Sequence, residues 1–206
     1  MVAPSKMINL RIGVIAEDDT DCMTLDILIR RLLPNHRPGI PRRARNGCGQ
    51  LDRKASAWFR EMARDGCQAV IHLRDLDRDP ANNQINNEAM LRNRLIAIPI
   101  PSELRRLICI PIEELEAWFW ADTALIREIG DGRGKASSRP DLIQKPKEAL
   151  VRLSRDKETK KALYSTNDNP DLAKKLDLNR CAACCPAFRE LRDFVINLAE
   201  EVALSA

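Results

Sequence analysis

Two aliphatic stretches run directly into clumps of carboxylates: Ile8–Ala16 into Glu17-Asp18-Asp19, and Ala69–Leu73 into Asp75-Leu76-Asp77-Arg78-Asp79. Runs of this length, rich in Val and Ile, predict strands buried on both faces, the pattern of a parallel sheet. Open α/β sheets take their ligands in the crevice beyond the carboxyl ends of the strands. Acidic residues at two such ends therefore stand where a ligand is expected. Carboxylates gathered at one place repel one another unless a cation neutralises them, and an all-oxygen donor set suits Mg2+ or Mn2+. The pattern predicts an acidic, metal-binding site at the top of an α/β sheet.

The rest of the chain fits that frame. Asp19 or Thr20 can cap a helix reaching about Leu33, with Leu25, Leu28, Ile29, Leu32 and Leu33 on one face and Pro34 as its stop. Ile40–Ala44 suits a short edge strand. Ala55, Trp58, Phe59, Met62 and Ala63 recur at helical spacing before Gly66. Gln68–Arg74 is the second strand of the frame, Asn82–Asn87 a polar loop and Glu88–Ile98 a helix. Leu107–Ile112 is a further strand and Glu113–Ile126 a further helix. Strands alternating with helices imply right-handed βαβ units and a mainly parallel sheet. From Gly130 to Pro140 the chain reads as a flexible Gly/Arg/Ser stretch, and beyond it no strand-like run occurs. Pro146–Arg155, Pro170–Leu176 and Pro186–Val202 each place Pro at a helix start. The expected organisation is a Rossmann-like α/β domain over 1–129 with a helical extension, 130–206, packed on it.

Composition narrows the class. A chain of 206 residues that is 44% hydrophobic can bury one good core. No apolar run approaches the ~18 residues of a membrane-spanning helix, and Met1–Lys6 is followed by no apolar signal core. With no export signal, the seven cysteines are expected as reduced thiols, and a cytoplasmic location follows. Lys and Arg number 34 against 30 Asp and Glu, a net +4 that permits nucleic-acid binding without demanding it.

Strand side chains alternate, so Asp75 and Asp77 project to one side and can share a cation. Asp79 offers a third ligand or a second-metal position. Glu17, from the neighbouring strand end, can complete the shell or act as general acid/base towards a phosphate. Asp18, Glu113 and Glu116 are further candidates; for Asp18 helix capping, and for the glutamates a solvated helix start, are the competing roles. Cys181-x-x-Cys184-Cys185 lacks the partners of a zinc site and is expected to pack around the last helix. With only His36 and His72 available, Ser/His or Cys/His catalysis is disfavoured. Gly130-x-Gly132-x-Gly134-Lys135 lacks the glycine spacing and the Ser/Thr of a P-loop. Arg42, Arg43 and Arg45, with Lys145, Lys147, Lys157, Lys160 and Lys161, offer a basic rim for a phosphodiester.

Glu17 after one strand and D-x-D-x-D (Asp75, Asp77, Asp79) after another resemble the Toprim signature of topoisomerases, primases and OLD-type nucleases. Nearly the whole chain resembles an uncharacterised bacterial family of small Toprim-like proteins, often encoded beside ATPases in apparent phage-defence loci. The matching segments are Val14–Asp21, Gly47–Leu51, Val70–Asp79, Ile112–Asp122 with its Glu116-Ala117-Trp118, Pro146-Lys147 and Cys185-Pro186-Ala187-Phe188. Many related chains carry Gly where this one has Asp18. The resemblance implies a Toprim-like fold, Glu17 as acid/base or ligand, and Asp75, Asp77 and Asp79 as Mg2+ ligands. The expected function is that of an Mg- or Mn-dependent nuclease or phosphoryl-transfer enzyme acting on DNA or RNA. An ATPase partner is implied, a homodimer is allowed, and no membrane is involved. Two alternatives stand beside it: a non-catalytic regulatory subunit of an ATPase complex, and a receiver-like phosphoacceptor domain using Asp75.

Overall fold

The computed structural model describes residues 9–45 and 47–205, without the Cys48 side chain. Four parallel strands, β1 (Ile12–Ala16), β2 (Arg42–Ala44), β3 (Ala69–Leu73) and β4 (Arg105–Cys109), form one sheet in the order β2-β1-β3-β4. Every residue of β1 and β3 is buried, as expected for the two central strands. The short edge strand β2 lies within the expected 40–44, and the start of the expected first strand, Ile8, lies outside the described residues.

Alternation along the strands sorts the helices onto two faces. Ile12, Val14, Ala16, Ala69, Ile71 and Leu73 look towards α1 (Asp19–Leu32), whose Leu25, Leu28 and Ile29 meet them in the largest core cluster. Ile15 and Val70 look the other way, onto Leu51, Ala55, Phe59 and Met62 of α2 (Cys48–Arg64). Gly13 also lies beneath α2, so close that a Cβ there would overlap the Met62 sulfur. Glycine at this position is what lets the helix seat on the sheet. Next along the same face, α3 (Glu88–Ile96) packs Leu95 onto Leu76, Ile108 and Ile110.

The expected helix Glu113–Ile126 is two pieces: a 3-10 segment, Leu115–Ala121, and α4 (Thr123–Ile129). Asp122 divides them because its carboxylate accepts from the backbone N–H of Ala124 (2.8 Å), capping a new helix. The Gly130–Pro140 stretch is anchored rather than free: the Arg133 guanidinium donates to the Gly130 and Arg155 carbonyls, and Ser137 N–H to that of Trp120. Gly134, at φ +88, sits where a side chain would strike Ile126.

Four further helices follow: α5 (Pro146–Leu153), α6 (Asn169–Lys175), α7 (Leu178–Cys184) and α8 (Pro186–Ser205). Leu150, Leu172, Cys181, Cys185, Phe188, Leu191 and Val195 join the α1-side core, so the C-terminal helices share their apolar interior with the sheet. Trp118 meets Phe188 edge to face, ring centroids 5.2 Å apart, locking the 3-10 segment to α8. No helix among the described residues is long and apolar enough to cross a membrane.

Candidate functional site

The chain passes from β1 outward to β2, then returns past β1 to β3 and β4. Strand order therefore reverses between β1 and β3, and the crevice of such a sheet lies at their carboxyl ends. Those ends carry Glu17 and Asp75. Pairing continues beyond β3, with Arg74 N–H on the Cys109 carbonyl and Leu76 N–H on that of Pro111, both 3.0 Å. The extended backbone keeps its alternation through Asp77. Asp75 and Asp77 thus continue the α1-facing row, while Arg74 and Leu76 turn towards α2 and α3.

On the α1 side the carboxylates crowd. One Asp75 oxygen is sealed from solvent and receives no hydrogen bond. Burial, then the charges of Asp21, Glu116, Glu17 and Asp77, push the Asp75 carboxyl well above its ordinary range. Asp21, on the inner face of the first turn of α1, is pushed up to about 8 by burial and by Asp18, Glu116 and Glu17. Glu116, 3% exposed, is raised by burial, against the opposing pull of Lys147 and Asn169. Its Oε1 accepts from Asn169 Nδ2 at 3.1 Å, and Asn169 Oδ1 accepts from the Tyr164 hydroxyl at 2.7 Å. This buried relay fixes Glu116 from the C-terminal helices.

Two cations answer the cluster. The Lys147 ammonium, at the start of α5, lies 3.2 Å from Glu114. Burial works against its charge, but Glu116, Glu114 and Asp75 outweigh that and raise its pKa. On the α2 side, the buried Arg74 guanidinium donates to Glu17 Oε1 and to Asp52 Oδ1 (3.2 Å). Glu17 is raised by burial and by Asp77, Asp52 and Asp18, with Arg74 pulling it back. Asp77 lies at the exposed rim, its carboxyl raised by partial desolvation against Arg74 and Lys147.

The structure thus gathers Glu17, Asp75, Asp77 and Glu116 from the residues singled out by sequence. Asp18 stands at the edge, its carboxylate accepting from Asp21 N–H (2.8 Å) as the cap of α1. Asp79 is turned into its own loop, accepting from Ala81 N–H (2.8 Å) and Asn82 Nδ2 (3.1 Å). Glu113, buried at a positive φ, ties Arg78 Nε (2.7 Å) to Lys145 N–H (2.9 Å) and so braces the Asp75–Asp79 segment. Arg43 and Arg45 of the expected basic rim are engaged by Glu61 and Gln50.

Sequence reasoning gave no role to Asp21, Arg74, Asp52 or Asn169, and met Lys147 only in a general basic rim and in the Pro146-Lys147 segment of the resemblance. Asp21 had a signal: it lies on the same helical stripe as Leu25, Leu28 and Ile29, and a carboxylate on an apolar stripe needs an explanation.

The donors are all oxygens, and the sealed, unpartnered oxygen of Asp75 is a vacancy in hydrogen bonding that a hard cation fits. Among the described residues no three His, Cys, Asp or Glu side chains are closed to metal-ligand spacing, so the cluster is a ring of repelling carboxylates rather than a finished shell.

No curated protein and no solved structure matches the chain. A family model described as a domain of unknown function, DUF4276, matches residues 16–196. That match takes in both acidic strand ends, Lys147 and the Tyr164–Asn169 relay, and the chain belongs to that family.

Proposed function

We propose that this chain is a Toprim-like, Mg2+- or Mn2+-dependent phosphodiesterase acting on nucleic acid. One observation carries the reading: the buried, unpartnered Asp75 oxygen stands among Asp21, Glu116, Glu17 and Asp77 at the point where strand order reverses. A structural cluster would be expected to spend its carboxylates on hydrogen bonds, as Glu113 and Asp122 do. Asp75 and Asp77 would hold the cation, with Glu17 either completing the shell or exchanging a proton. Bound there, a divalent ion would offset the repulsion and supply the means to polarise a phosphate and acidify a water.

The chain's own groups supply the rest. Arg74 occupies Glu17 Oε1, which fixes the carboxylate and leaves Oε2 to take or give a proton. The raised pKa of Glu17 brings that exchange closer to neutral pH. Lys147 sets a fixed positive charge beside Asp75, where phosphate charge would develop. Glu114 keeps Lys147 in place, taking its ammonium at 3.2 Å and its backbone N–H at 3.0 Å. The resemblance noted above extends the proposal to phage defence alongside an ATPase.

The test is the Asp75→Ala, Asp77→Ala double variant, assayed on plasmid DNA and on a structured RNA with Mg2+ or Mn2+. Metal-dependent cleavage by the parent and none by the variant, with the fold intact by circular dichroism, is the expected result. Equal cleavage by both chains would remove the assignment.

A further inference from the structure

Beside the acidic cluster a cavity of about 480 Å3 opens on the α3 side of the sheet. Residues 74–77, just beyond β3, run along one side, Leu76 and Leu91 give an apolar floor, and Met90 and Arg94 stand at the outer rim. We infer that this cavity takes one unstacked nucleotide next to the phosphate being cut, so that the substrate is single-stranded nucleic acid. The inference rests on the metal-dependent reading above and adds the substrate class.

Four observations support it. The volume lies in the range, roughly 300–1,000 Å3, that holds one small organic molecule. Met90 is 72% exposed, on the helix that packs Leu95 against the sheet. A polarisable thioether at the mouth of a cavity is a surface for an aromatic base. The Arg94 guanidinium reaches outward, 61% exposed and only loosely paired with Asp52 at 3.6 Å, where it can meet a phosphate. The wall is joined to the cluster, because Asn86 N–H donates to the Asp77 carbonyl at 3.1 Å. A base seated here therefore lies along the segment that carries Asp75 and Asp77.

The shape argues against a duplex. A paired base reaches such a cavity only by leaving its stack, which costs a few kcal/mol in double-stranded nucleic acid and far less in a single strand. Of the two cations lining the cavity, Arg74 is buried and paired with Glu17 and Asp52, leaving Arg94 to face outward. One outward cation gives little of the multiple phosphate neutralisation that holds a duplex.

The experiment is fluorescence anisotropy of the full chain in Mg2+, with cleavage-resistant phosphorothioate oligonucleotides as single-stranded DNA, single-stranded RNA and duplex DNA. Single strands should bind at least about tenfold tighter than the duplex, a gap of ~1.4 kcal/mol. Arg94→Ala and Met90→Asp, both at exposed positions, should each weaken single-strand binding about tenfold while keeping the parent Tm and its rise with Mg2+. Equal or tighter duplex binding, or parental affinity in both variants, overturns the inference. The two readings fail separately. Metal-dependent cleavage of single strand and duplex at equal rates would keep the metal site and remove the nucleotide cavity. Variant-sensitive single-strand binding without any effect of Mg2+ on Tm would keep the cavity and remove the metal site.

Discussion

Asp75 occupies surroundings in which ionisation is costly, since one oxygen is sealed without a donor and four other carboxyl groups raise its pKa. Groups left in that condition usually serve binding rather than stability. Asp75→Asn removes the charge and keeps the shape, so without metal the variant should be the more stable, by about 1 kcal/mol. In a thermal melt at neutral pH that is a rise of roughly 2–4 °C, accompanied by loss of any Mg2+-induced shift. A lower Tm than the parent would show that the charge is compensated by something other than a cation. Asn169 makes the opposite case. Fully buried, it joins Tyr164 to Glu116 through two hydrogen bonds, at 2.7 and 3.1 Å. Asn169→Ala should cost about 2–3 kcal/mol in urea unfolding by stranding both partners. A loss under about 0.5 kcal/mol, the usual range for a surface change, would mean that the relay does not hold Glu116.

At the scale of elements, β3 shows how one strand serves two faces. His72 lies on the α2 side, completely buried, edge-on to Phe59 at 5.7 Å, with no hydrogen-bond partner on either ring nitrogen. Burial, then the charges of Arg74 and Arg106, depress its pKa to about 3. Between the ordinary value near 6.5 and about 3 the unfolded chain takes a proton that the native chain refuses, so stability falls as pH drops through that window. His72→Leu should flatten this acid limb of a Tm-against-pH profile at no cost near neutrality. An unchanged limb would assign the acid sensitivity to other groups. These strand elements were legible because β1 is apolar throughout, β3 all but His72, and both end in charge, a contrast that survives in sequence. The break at Asp122 was not, since the apolar residues of Leu115–Ile126 also fit one continuous helix and capping depends on local backbone geometry. Glu17, Asp75 and Asp77 were legible from strand ends. Lys147 and Asn169 were not, because their place depends on how distant helices dock, and no local pattern records that. Asp79 shows the limit of spacing alone: the third Asp of the motif closes a turn of its own.

For the whole molecule, the acidic cluster joins three parts of the chain: the ends of β1 and β3, the first turn of α1, and the 3-10 segment with α5. Its charge state therefore bears on global stability and not only on chemistry. Asp21, pushed up to about 8 from 3.8, holds a proton in the native state that the unfolded chain has already released. With more protons bound in the native state, the slope of stability against pH is negative. The stabilisation present below about 4 is lost progressively as pH rises towards 8. Depression of the His72 pKa gives the opposite slope below its ordinary value, so the metal-free chain should be most stable on the acid side of neutrality. A divalent cation competes with protons for the same oxygens, and its binding must strengthen as they leave. The Tm gain from Mg2+ or Mn2+ should therefore be small near about pH 5.5 and grow by several degrees towards about pH 8. Melts with and without the ion at those two pH values measure it directly. A gain that is equal at both, or a metal-free chain that grows more stable with rising pH above neutrality, would mean that the carboxylates at the strand ends do not act as one ion-binding unit.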